Sequence, residues 1–246
     1  LLVCFSTLML KKKKYLIPAI ILVGLIIIAV IIIIFWGRGK NAVEPLKRID
    51  VGSAQAQTYA ADQAPVLRAD DKVFGSVKAP LKIFVYEDYA NLYSARLADI
   101  LDKARTDFGS QIAIIVRPYF LKISPLAAPA AQAVLCAGEQ GKWTEMRALL
   151  FAQTKTERLT LANFGAYAKQ IGLNEANFGI CLTNSQKSEK IEQSVQEASH
   201  YNVLGAPTMF VGTEMILGAR PYEDYVDSNN DKIEGLKNVI SRLSNK

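Results

Sequence analysis

Three cysteines, one histidine and one strand-to-helix turn are the places where this chain could do chemistry. Cys4, Cys136 and Cys181 form no C-x-x-C pair, the spacing that sets two thiols side by side for disulfide exchange. Nor do they combine with His200 in a zinc-binding pattern, so no metal and no cofactor are expected. His200 lies in EASHYN, near the end of a solvated helix, and reads as a surface residue rather than a base. The turn lies in YEDYANLYSARLAD at 86–99, directly after the apolar run LKIFV at 81–85. Where a strand turns into a helix, α/β proteins often place their reactive groups. Here the turn presents Asn91, Leu92, Tyr93 and Ser94, none of them an activated nucleophile, because a serine hydroxyl needs a base. Asn91 is a favoured N-cap type and Ser94 suits a first helical turn, so both fit a helix start as they stand.

The elements that must hold this turn follow from periodicity. LKIFVYE at 81–87 and QIAIIVRPYF at 111–120 are rich in β-branched and aromatic residues and predict buried strands. Between them Leu92, Ala95, Leu97, Ile100, Leu101, Ala104 and Phe108 recur near helical spacing, and Gly109 ends the run. From about 125 to 201 the pattern is helical, with breaks expected near 138–142, 154–160 and 172–174. TMFVGTEMILG at 208–218 predicts a hairpin turning near 212–214, and DKIEGLKNVISRL at 231–243 predicts a closing amphipathic helix. That order is β-α-β, a helical block, then β-β-α, and it favours an α/β sheet with an inserted helical subdomain.

The 246 residues carry a net charge of +6, but residues 1–40 hold six basic and no acidic side chains. The remainder is balanced at 23 of each sign, so nothing favours nucleic acid. YLIPAIILVGLIIIAVIIIIFW at 15–36 is uncharged and, as a helix, long enough to cross a hydrocarbon layer of about 30 Å. Its length exceeds a signal-peptide core, which favours an uncleaved signal anchor. Lys11 to Lys14 stand before it and predict a cytoplasmic N-terminus, with the folded domain extracytoplasmic at the cell membrane. Met9 looks like a natural start, and residues 1–8 are given no role. The expected organisation is a basic terminus at 1–14, the transmembrane helix at 15–36, a tether at 37–71 and one domain at 72–246.

Three stretches carry a resemblance. FGSVKAPLKIFVYEDY at 74–89, AAQAVLCAGEQGKWTEMRALLFA at 130–152 and VLGAPTMFVG at 203–212 are similar to the DsbA-like family of extracytoplasmic thiol-disulfide oxidoreductases. The resemblance spans roughly residues 72–245. It implies a thioredoxin-like fold with a helical insert and a cis-proline at Pro207. In that family the turn after the first core strand carries C-x-x-C at a helix N-terminus, where partial positive charge favours the thiolate. Those two positions here are Asn91 and Ser94, so the dithiol chemistry does not carry over. The resemblance also implies that Cys136 and Cys181 staple the insert, which an oxidising compartment permits; two free thiols or a redox pair are the other states open to them.

The leading expectation is a membrane-anchored protein with a degenerate active site that binds extended or unfolded polypeptide. Leu92 and Tyr93 would supply an apolar face, and Ala206 with Pro207 a backbone edge. One alternative is an oxidoreductase working through Cys136 and Cys181 or through a partner's cysteines. Another is a structural scaffold in a membrane complex.

Overall fold

A computed structural model describes residues 58–61, 63–227 and 230–245, all within one compact unit. The expected basic terminus, transmembrane helix and first part of the tether lie outside the described residues. Among the described residues no helix is long and apolar enough to cross a membrane.

Six strands form the main sheet: β1 (Thr58–Ala60), β2 (Lys72–Phe74), β3 (Leu81–Glu87), β4 (Ile112–Pro118), β5 (Thr208–Val211) and β6 (Glu214–Leu217). Their spatial order is β1-β6-β5-β3-β4-β2. Only β3 and β4 run parallel; the other neighbours are antiparallel. The parallel pair is joined by helix α1 (Leu92–Phe108), the crossover that parallel strands require. Gly109, at φ 51, ends that helix and accounts for the glycine in the sequence pattern.

Both faces of β3 are covered, which is why its sequence is nearly continuous in apolar residues. Ile83 and Val85 pack with Leu97 and Leu101 of α1 and with Val239 and Ile240 of a closing helix, α7 (Leu236–Ser244). Phe84 and Tyr86 point the other way, to a layer with Ile115, Phe210 and Val203.

The insert consists of α2 (Ala127–Glu139), α3 (Trp143–Lys155), α4 (Phe164–Gln170), α5 (Glu175–Leu182) and α6 (Ser185–Ser199). Three of its boundaries fall at the predicted breaks. Cys136 of α2 and Cys181 of α5 are joined in a buried disulfide across a sequence separation of 45. Closing a loop of that length stabilises a fold by roughly 2–4 kcal/mol in the chain-entropy account. A Cys136→Ser, Cys181→Ser chain should therefore unfold at lower urea; an unchanged midpoint would show that the bridge adds nothing.

Two segments differ from expectation. Residues 58–71, assigned by the sequence to the tether, reach into the fold: β1 pairs with β6, and Asp71 forms an ion pair with buried Arg117 at 2.8 Å. The closing helix begins five residues later than predicted. Residues 232–233 instead form a short strand, β8 (Lys232–Ile233), against β7 (Tyr225–Val226). Gly235 then crosses so close to the 223–224 backbone that a Cβ there would lie 2.3 Å from the Glu223 carbonyl carbon. Its N–H donates to Asp224 at 2.8 Å, and the helix starts only after this crossing.

Candidate functional site

The end of β3 positions the turn. Asn91 N–H donates to Asp88 O at 3.0 Å, and the Asp88 carboxylate accepts from Ala90 N–H at 2.8 Å. Asn91 is the N-cap of α1: its side-chain oxygen accepts from Tyr93 N–H at 2.8 Å and Ser94 N–H at 3.0 Å. Two otherwise unsatisfied helix donors are thereby served. Ser94 is 1% exposed, and its Oγ accepts from Asp88 N–H at 3.2 Å. Among the described residues no imidazole or carboxylate hydrogen-bonds that hydroxyl, so nothing present activates it as a nucleophile. Burial raises the Asp88 carboxyl above its usual range, partly offset by the Ala90 N–H bond.

The outer face of the same turn is apolar and open. Leu92 is 38% and Tyr93 58% exposed, and the Arg96 guanidinium lies 5.5 Å from the Tyr93 ring centre. The β3–β5 register pairs Tyr86 with Thr208, which sets Pro207 and Ala206 at the sheet end that carries the turn. The Ala206–Pro207 bond is cis. Around it the loop is braced: Thr208 Oγ1 donates to Gly205 O at 2.7 Å and Gly218 N–H donates to Pro207 O at 2.8 Å. Among the described residues nothing hydrogen-bonds the Ala206 backbone. Beside it Leu204 is 76% exposed. The fold thus brings Leu92, Tyr93, Ala206 and Pro207 to one end of the sheet. Cys136 and Cys181 sit apart, joined to each other in the insert.

Sequence reasoning missed the charged support beneath this turn. Glu87, the last residue of β3, receives two bonds from Arg147 of α3, Nε to Oε1 at 2.6 Å and Nη2 to Oε2 at 2.8 Å. Both side chains are buried. The Arg147 guanidinium also lies 4.9 Å from the Phe151 ring centre and 5.3 Å from that of Phe74. Thr154 of the same helix donates to Tyr89 O at 2.8 Å, and burial pushes the Tyr89 hydroxyl well above its usual range. One signal was legible: a glutamate closing an apolar strand and an arginine on the apolar side of WTEMRALLF both need an opposite charge if buried.

Comparison with known proteins bears on the architecture. Residues 68–228 match the family model described as thioredoxin. Over 150 residues, 60% of this chain, it is 30% identical to Na(+)/H(+) antiporter NhaA 1 of Mycobacterium sp. (strain KMS), covering 24% of that protein. It is 29% identical over 147 residues to Na(+)/H(+) antiporter NhaA 3 of Salinispora tropica, covering 22% of it. The chain thus spans about a quarter of the length of the curated relatives it matches. Among solved structures, a thioredoxin-like oxidoreductase from Silicibacter pomeroyi DSS-3 superposes with a TM-score of 0.57 at 17% identity, over 73% of this chain and 95% of that one. The thiol-disulfide exchange protein alpha-DsbA2 from Wolbachia pipientis gives 0.56 at 18%, over 70% and 87%. The catalytic domain of Proteus mirabilis ScsC gives 0.55 at 23%, over 72% and 90%. At such identities the superpositions speak for the fold alone. With a family match over residues 68–228, the chain belongs to the thioredoxin family, and its sheet order and inserted helices give it the fold seen in the DsbA-type structures.

Proposed function

We propose that this protein is a polypeptide-binding module built on a thioredoxin fold whose dithiol site has been replaced, anchored to the cell membrane by residues 15–36 with the domain outside the cytoplasm. The observation that carries the reading is the unpartnered backbone of Ala206 beside the exposed Leu92, Tyr93 and Leu204. A free donor and acceptor at a sheet end, next to apolar side chains, suits an extended segment adding as a strand. Asn91 and Ser94 are engaged in closing the turn, so the surface would hold a chain without exchanging its disulfides. The disulfide between Cys136 and Cys181 agrees with an oxidising compartment. Its burial weighs against redox chemistry through those cysteines, because an attacking thiolate needs access to sulfur.

The test is a fluorescence-anisotropy titration of an arrayed library of unfolded-protein peptides against the full chain and a Leu92→Asp, Tyr93→Asp variant. Loss of two apolar anchors is expected to weaken binding at least about tenfold while the melting temperature holds. Equal binding by both chains would sink the proposed groove. The scaffold alternative has one observation in its favour, the sequence match to proteins named as Na(+)/H(+) antiporters, and it gains if peptide binding is unaffected by these substitutions.

A further inference from the structure

Away from the turn, a cavity of about 540 Å³ opens between the 68–72 segment, the end of β4 and helices α2 and α6. That volume is within the usual range for a small-ligand site. Val134, Leu135 and Ile191 form its main aliphatic surface.

Its charges are nearly all spent on one another. Asp71 pairs with Arg117, Asp70 with Lys190 at 2.9 Å, Glu197 with Arg68, and Glu139 with Lys187 at the rim. Lys72 is the one lining cation with no carboxylate partner among the described residues. It is half-buried, and its ammonium rests against α2 at Gly138, where a Cβ would lie 3.3 Å from Lys72 Cε and Nζ. The lining therefore leaves one unpaired positive charge beside a short aliphatic surface, and asks for one negative charge and a short apolar body.

We propose that this cavity binds a small amphipathic monocarboxylate, its carboxylate on the Lys72 ammonium and its apolar part on Val134, Leu135 and Ile191. The site is separate from the peptide surface at Leu92 and Tyr93, and does not depend on it.

N-Acetyl-leucine is the probe, because it carries the carboxylate, an amide and a branched aliphatic group; N-acetyl-leucinamide has the same shape without the charge. Both are titrated into the isotope-labelled full chain and followed by amide chemical shifts. Saturable shifts around Lys72 and α6 are expected for the acid, with the amide binding at least about tenfold more weakly, the scale of one lost charge-assisted hydrogen bond. Lys72→Met should weaken the acid by a similar factor while the spectrum stays that of the folded domain, and Leu135→Trp, which fills the cavity, should abolish binding. Leu92→Asp, Tyr93→Asp should leave the acid's affinity unchanged. Absence of binding, equal affinity for acid and amide, an unaffected Lys72→Met chain, or loss of binding in the Leu92, Tyr93 variant would each overturn the proposal.

Discussion

A chain carrying N91C and S94C together is expected to catalyse insulin reduction where the parent chain shows none. Position 91 is the N-cap, with extended backbone at φ −109 and ψ 127, and is partly open to solvent. Position 94 lies one turn on, on the same side, and is buried. An accessible outer thiol and a covered inner one are what attack and release in disulfide exchange require. The outer thiol would sit where the partial positive charge of α1 favours its thiolate, so its pKa should fall at least about one unit below the free-cysteine value of about 8.5. The inner sulfur would inherit the Asp88 N–H that now bonds Ser94 Oγ. Removing the Asn91 cap oxygen costs about 1 kcal/mol, which the reduced double variant should show as a small loss of stability. Iodoacetamide reaction rates across pH give the thiol pKa, and insulin turbidity gives the turnover. A double variant with an ordinary thiol pKa and no turnover would mean that the turn no longer has the geometry of an exchange site, and that more than two side chains separates it from an enzyme.

Arg147→Ala is expected to destabilise the domain more than truncation of any side chain on the turn itself. It would leave the Glu87 carboxylate, 1% exposed, with no counter-charge at the point where β3 becomes the turn. Breaking one side of a buried ion pair typically costs about 3–5 kcal/mol, more than most cavity-forming or surface changes. For a domain of this size that corresponds to a fall in melting temperature of roughly 6–20 °C. Replacing both residues, Glu87→Leu with Arg147→Met, should recover most of the loss, because an apolar pair needs no desolvation of ions. Urea titrations of the parent and both variants at pH 7 measure these differences. A single-variant loss below about 1 kcal/mol would mean that water reaches Glu87 and that the pair does not tie the insert to the turn.

The insert's attachment explains why the local and distant parts of this site differ so much in legibility. Asn91 can be assigned to a cap because its partners, the Tyr93 and Ser94 N–H groups, are two and three residues away. Strand β3 matches its predicted span, Leu81–Glu87, because a strand buried on both faces must be apolar at every position. The closing helix starts too early in the sequence pattern because 231–235 is compatible with it, and only the approach of Gly235 to the Glu223 backbone forbids it. Residues 58–71 read as a tether because a strand of three residues leaves no period, and the partners of β1 on β6 lie more than 150 positions away.

By itself the sequence determined the negative result and the frame around it: no thiol at 91 or 94, a helix starting there, a parallel β-α-β unit and a helical block carrying two cysteines. All of these depend on residue type or on spacing within a few turns of chain. Beyond what the family resemblance implied for Cys136 with Cys181 and for Ala206, tertiary structure alone decided that Glu87 is neutralised by Arg147 sixty residues on and that Lys72 is left without a carboxylate among the described residues. The physical reason is common to both. Each depends on segments far apart in the chain, brought together by how helices pack on the sheet, and periodicity shows that a residue is buried without showing what it is buried against.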